Sequence, residues 1–365
     1  MQLGVETYGG GLWHTWFDRD LGLSGRVLVK NTSTSMVTQR LIKIMDRAVC
    51  RISTLAIHLA SAEERTAFKV NKEDHLSPII ATELLTKEIE AQLTGSKANG
   101  NPHEVWAAGH EPLLMKLVKE ELKLSEDEQI VDFELNLFDI QPACLGGVEK
   151  EFLNSGRLDN LATCFVAVES LLEHVKTFDD DEDISMIALF DHEEVGSESL
   201  PGAGSPILSE ALKRISTALL QGENIEAPDL YGMTVRKSFM LSVDQAHAHH
   251  PNYASKHEQS HKPHMNSGMV IKNNANQRYT SYSISKYVFR ELCAMAPLKL
   301  PVQEFVIRQD CGCGTTIGPL VSSSTGIRCI DVGMSQLSMH SCREVMGVID
   351  CEYRMAKLHC FCVSI

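Results

Sequence analysis

The chain has 365 residues, of which 43% are hydrophobic and 22% charged, and it carries a formal net charge of −14. This length favours two domains, and the longest apolar stretches fall well short of the roughly 20 residues that cross a bilayer. The acidic charge argues against nucleic acid and against a membrane surface as partners, because both require a basic face.

The cysteines and the N-terminus indicate the compartment. Eleven cysteines are scattered along the chain without a Cys-x-x-Cys pair. The first residues lack the basic start and apolar core of a secretion signal. Both features predict reduced thiols and a cytoplasmic location.

Residues 1–148 mix strand-like and helix-like stretches. Apolar and polar side chains alternate at 131–137, as in a half-buried strand, and apolar runs predict strands at 25–30 and 40–45. Leucine and isoleucine recur at helical spacing around 80–89 and 113–122.

From residue 149 onward, strands and helices alternate, which is typical of a sheet with crossover helices and predicts an α/β fold. Helices are expected at 158–175, 207–219 and 283–295, and strands at 185–190, 238–243, 303–307 and 327–332.

Several of these elements deliver potential metal ligands at their ends. Asp159 opens a helix, Glu193 and Glu194 follow the 185–190 strand, Asp244 ends the next strand and His340 follows the last one. Carboxylate and imidazole are zinc ligands, and two ions that share a bridging carboxylate form a hydrolytic site. By themselves, Asp159 could be a helix cap and His340 a hydrogen-bonded core histidine.

The two adjacent glutamates suggest a division of labour. Consecutive side chains in extended backbone point in opposite directions, so both cannot easily bind one ion. One glutamate is expected to bind metal while the other accepts a proton from water.

A histidine-rich segment follows Asp244. His257 to His261 match the zinc-protease pattern H-E-x-x-H, which functions only on a helix. Because Pro251 and Pro263 flank the segment and it carries no apolar stripe, we do not expect a helix or a metal site there. The histidines at 247–264 form either a polar surface segment or a supporting shell beside Asp244.

Many short motifs resemble the aspartyl aminopeptidases, in chain order from the first residues to Glu344. They are ETYGGG at 6–11, WFDRDL at 16–21, RLDN at 157–160, EEVGS at 193–197, AHA and HPNY within 246–253, CGTTIGP at 313–319 and MHS at 339–341.

The resemblance implies an α/β zinc-exopeptidase catalytic domain with a mixed sheet at 149–365 and an inserted, β-rich dimerisation domain at 1–148. It implies two Zn²⁺ ions per subunit, peptide substrates with N-terminal Asp or Glu, and a homo-oligomer of dimers that assemble into a dodecamer.

The resemblance also implies roles for individual residues. Asp159 would bridge the two metals. Glu194 and His340 would complete the protein ligands of one ion, and Asp244 would bind the other. Glu193 would be the general base. Three further matches are His58, which would reach a neighbouring subunit's active site, and Lys272 and Tyr279, which would lie near the substrate pocket.

The chain departs from the family pattern at its start. The family has an upstream His-Thr-Asp-Ser-Pro segment, which supplies a histidine to the second ion, and this chain begins after it. We therefore expect the first strands of the catalytic domain to be missing and the second zinc site to lack a ligand. The alternatives are a truncated, catalytically impaired subunit that acts only in assembly, and a longer cellular protein.

Overall fold

The computed structural model describes residues 1–85, 102–176, 183–219, 230–296 and 300–352. These residues fall into two compact units. The first comprises 1–7 and 11–142, and the second comprises 8–10 and the residues from 143 onward. Among the described residues, no helix combines the length and the apolar character that a membrane crossing requires.

The first unit is built on a three-stranded antiparallel sheet in the order β2-β1-β3. Its core is formed by alternate side chains of the strands, such as Val27 and Ile44, with Val118 from a covering helix. The predicted strands at 25–30, 40–45 and 131–137 are confirmed, as is the helix at 113–122. Of the helix-like stretch at 80–89, residues 83–85 are helical and residues 86–89 lie outside the described residues. The elements are β1 (Leu21–Asn31), β2 (Val37–Ile44), α1 (Ala62–Thr66), α2 (Lys72–His75), α3 (Pro102–Ala108), α4 (Pro112–Glu121) and β3 (Glu128–Asp139).

The second unit contains two sheets, in the orders β6-β10-β8-β9 and β4-β5-β12-β11-β7. In the first sheet β6 runs parallel to β10, while β8 is antiparallel to β10 and parallel to β9. The elements are β4 (Cys144–Gly146), β5 (Phe152–Ser155), α5 (Leu158–His174), α6 (Ile207–Leu219), α7 (Leu230–Lys237), β6 (Phe239–Val243), β7 (Ala246–His247), β8 (Met269–Asn273), α8 (Ser283–Met295), β9 (Val302–Val306), α9 (Gly318–Thr325), β10 (Arg328–Gly333), β11 (Ser335–Leu337) and β12 (Glu344–Gly347).

Burial of apolar side chains joins the two sheets and their helices. Ile271, Ile330 and Met346 from three strands pack with Phe289 of α8 and Leu158 of α5 in one core. Mixed sheets covered by helices are the architecture expected for an α/β chain. The predicted α/β fold is therefore confirmed, together with the predicted helices at 158–175, 207–219 and 283–295.

The predicted strand at 185–190 was wrong. This stretch has no regular secondary structure, and within the described ranges no strand pairs with it. Only part of the run packs against the protein: the partly buried Met186 and Phe190 contact Ala203, Leu208 and Val321, whereas Leu189 is exposed. A short apolar run therefore does not show that a segment has a hydrogen-bonded neighbour.

Candidate metal centre

Three side chains in the second unit converge as potential metal ligands. One donor atom each from Asp159, Glu194 and His340 lies within 4.8 Å of the other two. His340 Nε2 is 3.5 Å from Asp159 Oδ2 and 3.2 Å from Glu194 Oε1. Two carboxylates and one imidazole form a donor set that zinc accepts.

The start of α5 holds Asp159 in place. The side-chain amide of Asn160 donates a hydrogen bond to the backbone carbonyl of Val243 at 2.8 Å. The side-chain amide of Gln245 donates to the backbone carbonyl of Leu158 at 3.1 Å. These two hydrogen bonds join Leu158 and Asn160, on either side of Asp159, to the last residue of β6 and to the segment that follows it. As a result, Asp159 lies next to Asp244, whose negative charge helps to raise the pKa of Asp159.

The loop between β11 and β12 presents His340. Its backbone is left-handed, with φ at 64°, and its Nδ1 lies 3.0 Å from the carbonyl oxygen of Gly10. Because a carbonyl only accepts, Nδ1 carries a hydrogen, which leaves Nε2 directed at Asp159 and Glu194. Gly10 belongs to the short 8–10 segment, which is part of the second unit.

A tight turn contains both glutamates. His192 has a left-handed φ of 62°, a single 3-10 turn spans Glu193–Val195, and Gly196 follows with φ at 113°. Glu193 is half-buried and Glu194 is exposed. The different environments of the two carboxylates arise from this turn and not from alternation along a strand.

The electrostatics of the cluster indicate a site that needs a cation. Burial raises the pKa of Asp159 to about 8 and that of Glu193 to about 7. Hydrogen bonds from its imidazole to Asp159 and Glu194 raise the pKa of His340 to about 11. In the metal-free protein a proton on His340 thus supplies positive charge between carboxylates, and a divalent ion satisfies the same need. The donors and their charge therefore fit zinc.

A cavity of about 180 Å³ extends from this cluster. Its lining includes Glu193, Asp159 and His340 together with Lys272 and Tyr279.

Lys272 is the buried cation of this cavity. The side chain of Lys272 is only 3% exposed; its Nζ lies 2.8 Å from Asp244 Oδ2 and 5.6 Å from the centre of the Tyr279 ring. Lysine is rarely buried this completely unless it is paired. A buried ammonium group thus faces the same space as the carboxylates.

Most of the predicted site residues are therefore brought together. Seven of them line the cavity: Asp159, Glu193, Glu194, Asp244, Lys272, Tyr279 and His340. The eighth, His58, lies in the first unit on an exposed turn. The roles of these residues, including Asp244 as a ligand of a second ion, stay predictions.

The histidine-rich segment divides into two parts. His247 lines the cavity and is otherwise exposed. His249 packs against His257 and His264 instead. The predicted absence of a helix at 257–261 is confirmed, and Glu258 accepts hydrogen bonds from its own loop at His261.

Sequence reasoning missed several residues around the site. Gln245, Thr316 and Met339 line the cavity, and the buried Glu344 contacts the backbone of two of the three potential ligands. Gln245, Thr316 and Met339 lie within or directly beside matched motifs, and Glu344 is the last matched residue. Membership in a matched motif, or a position directly beside one, was thus the available signal.

Comparisons with known proteins place the chain in a family. A probable aspartyl aminopeptidase of Ricinus communis is 42% identical over 369 residues, which cover 97% of this chain and 73% of that protein. Among solved structures, the cryo-EM structure of the Ape4 and Nbr1 complex superposes with a TM-score of 0.82 at 41% identity, covering 99% of this chain and 66% of that one.

A second solved structure, a Saccharomyces cerevisiae mApe1 dodecamer, superposes with a TM-score of 0.76 at 28% identity, covering 99% of this chain and 76% of that one. This chain spans about three quarters of the length of the Ricinus communis relative. The family model described as aminopeptidase I zinc metalloprotease (M18) matches residues 1–362. The chain belongs to the M18 family of zinc metalloproteases, with the aspartyl aminopeptidases among its relatives.

Proposed function

We propose that this chain is a zinc aminopeptidase that removes N-terminal Asp or Glu from peptides. The observation that carries the proposal is one cavity that joins three potential zinc ligands, a half-buried glutamate of raised pKa and a buried lysine. The relatives named as aspartyl aminopeptidases support the same reaction.

Asp159, Glu194 and His340 would hold a zinc ion. A bound zinc ion supplies a Lewis acid that polarises the scissile carbonyl and makes water easier to deprotonate. The His340–Gly10 hydrogen bond keeps Nε2 directed at the site. Asp159 and Asp244 adjoin each other, which supports the expectation that a second ion would take these two residues as ligands.

Glu193 would act as the general base. Burial raises its pKa to about 7, near the pH at which a general base is most effective. Its carboxylate accepts a proton from the attacking water, and the carboxylic acid formed in this way donates that proton to the leaving amine. Glu194, which lies next to it in the turn, would not take part in this transfer because it binds metal.

Lys272 would select the acidic side chain of the substrate. Its ammonium group is buried at the cavity wall, where desolvation strengthens its attraction for a carboxylate. Tyr279 lies beside it and would help to orient the bound side chain. In a chain with a net charge of −14, an acidic substrate requires such a local positive group.

We further propose that the chain forms homo-oligomers. The turn around His58 exposes Leu55, Ile57 and Leu59, and the edge strand β2 exposes Leu41. Exposed apolar clusters of this kind are typical of protein contacts. A relative solved as a dodecamer supports the same assembly, in which His58 would reach a neighbouring subunit.

Two other expectations are less closely tied to the site. The cytoplasmic location stays a prediction from the cysteines and the N-terminus. The comparisons give no support to an impaired subunit that acts only in assembly, because the relatives are named as aminopeptidases.

A peptide panel tests the substrate assignment. The zinc-loaded chain is incubated with otherwise identical peptides that begin with Asp, Glu, Ala or Lys, and release of the first residue is followed by chromatography. We expect Asp and Glu to be released at least about tenfold faster than Ala, and Lys272→Met to remove this preference. Lys286→Met, which alters a partly exposed lysine outside the cavity, serves as the control. Equal rates for Asp and Ala would contradict the proposal.

A further inference from the structure

The buried carboxylate of Glu344 joins the backbones of two potential zinc ligands. Its Oε2 accepts the backbone N–H of Asp159 at 2.9 Å, and its Oε1 accepts the backbone N–H of His340 at 2.8 Å. Glu344 is only 3% exposed. It opens β12, where it pairs with Ser155 of β5, so the strand ladder fixes its own position.

Both amide groups would otherwise lack a regular partner. The N–H of Asp159 lies in the first turn of α5, where no preceding carbonyl is available within the helix. His340 adopts left-handed backbone in the β11–β12 loop, which is unfavourable for a residue with a side chain. One carboxylate thus stabilises two local backbone conformations that belong to separate elements.

Each of these conformations sets the direction of a ligand side chain. Hydrogen bonds to an ionised group are stronger than neutral ones, and burial strengthens them further. Glu344 thereby restrains the separation between the backbones of Asp159 and His340, and with it the 3.5 Å distance between their side chains. Glu194 belongs to a different turn, at Glu193–Val195.

We propose that Glu344 is a positioning residue that sets the zinc affinity of the site by aligning Asp159 with His340. The proposal rests on the proposed zinc site. It predicts that a change at Glu344 weakens zinc binding although Glu344 itself does not touch the ion. Groups that orient metal ligands typically contribute 10- to 100-fold in metal affinity.

Asp350 provides a matched control within the same unit. Its buried carboxylate also accepts two backbone N–H groups, from Asn266 at 2.6 Å and Gly268 at 2.9 Å. It is 1% exposed and does not line the cavity. Loss of the charge at Asp350 therefore reproduces the structural cost of losing Glu344 without affecting a ligand.

The experiment measures zinc dissociation constants by competition with a chromophoric chelator. The unmodified 365-residue chain, Glu344→Gln and Asp350→Asn are compared after circular dichroism has verified the fold. The glutamine retains one acceptor but places an amide donor against the second N–H. We expect Glu344→Gln to bind zinc at least about tenfold more weakly and Asp350→Asn to bind within about twofold of the unmodified chain. The absorption bands of bound Co²⁺ should change only in Glu344→Gln.

Other outcomes overturn the inference. A loss below tenfold in Glu344→Gln, or an equal loss in Asp350→Asn, shows that Glu344 has no specific effect on the ligands. If the unmodified chain itself binds no zinc, the proposed function fails and this inference fails with it. Should Glu344→Gln not fold, Glu344→Asp, which retains the charge but withdraws it by one methylene group, is measured against the same tenfold criterion.

Discussion

Two adjacent carboxylates have different environments because both lie in a single tight turn. Glu193 is half-buried with a raised pKa, while Glu194 is exposed and within 3.2 Å of His340. Environment decides the role of a carboxylate more than residue type does. At this position the difference arises from left-handed backbone at His192 and Gly196, which the sequence pattern alone did not indicate.

The matched pair Glu193→Gln and Glu194→Gln tests this division. We expect Glu193→Gln to lower kcat by about 10²- to 10⁴-fold with zinc content unchanged, because only the proton acceptor is lost. Glu194→Gln should instead lower the zinc content, because a neutral amide is a poor zinc ligand. Metal analysis and steady-state kinetics on both variants provide the measurement. The reverse pattern, with zinc lost only from Glu193→Gln, would exchange the two roles.

The response of the site to pH follows from the cluster of Asp159 and His340. His340 has a folded pKa of about 11, above its ordinary value of 6.5, so its protonated form stabilises the metal-free fold below about pH 6.5. That contribution is lost as pH rises toward 11. Burial raises the pKa of Asp159 from 3.8 to about 8, so its stabilising contribution likewise falls as pH rises toward 8.

We therefore expect zinc to stabilise the fold more strongly at higher pH. Binding requires the ionised carboxylate and the neutral imidazole, so zinc and protons compete. The measurement is the rise in Tm on zinc addition at about pH 6 and about pH 8, at one zinc concentration. His340→Ala should show a smaller rise at both values. An equal or larger rise at pH 6 in the unmodified chain would contradict the assignment.

At the scale of elements, close packing between β6 and β10 fixes the position of Asp244. A side chain at Gly333, the last residue of β10, would place its Cβ 1.8 Å from the carbonyl oxygen of Asp244. A clash with backbone at this distance requires the strand ends to separate. Gly232 in α7 has open space around it and an ordinary helical conformation.

The two glycines give a matched pair of alanine substitutions. Gly333→Ala should lower the free energy of unfolding by about 1 to 3 kcal/mol through the forced backbone shift. Gly232→Ala should raise it by about 0.5 to 1 kcal/mol, since alanine favours helix. Urea denaturation of the metal-free proteins provides the comparison. Tolerance of alanine at Gly333 would show that the end of β6 is not tightly held.

Local patterns predicted elements well where burial and periodicity agreed. The helix expected at 158–175 is α5 (Leu158–His174), and the alternating run at 131–137 lies within β3 (Glu128–Asp139). The strand expected at 185–190 is absent, because a short apolar run does not show that a segment has a hydrogen-bonded neighbour, and Leu189 within the run is exposed. The apolar side chains of α5 also did not all face the core: Leu161 and Phe165 are exposed in this chain.

For the site, motif resemblance predicted the potential ligands but not their supports. Asp159, Glu194 and His340 were all expected, and they converge. Gln245 and Glu344 were not expected, since a side chain that holds a ligand through backbone hydrogen bonds has no characteristic spacing in sequence. Such residues become apparent only when the fold brings the separate elements together.

At the scale of the whole molecule, the exposed apolar turn around His58 predicts an assembly. Replacing Ile57 and Leu59 by serine should shift the protein toward smaller species, because the contact area of the proposed interface becomes polar. Leu200→Ser, which changes an equally exposed leucine in the second unit, is the control. Sedimentation velocity distinguishes the species. A monomeric unmodified chain, or the same distribution in all variants, would contradict the proposed contact.

The most direct test of the central claim is the zinc dependence of Asp release from a peptide. The purified chain is stripped with a chelator, zinc is added back stepwise, and the rate of N-terminal Asp release is recorded together with bound zinc. The account predicts that the rate vanishes on stripping, returns as the Asp159–Glu194–His340 site fills, and fails to return in His340→Ala. Release of Asp at an unchanged rate by the zinc-free chain, or by His340→Ala, would contradict it.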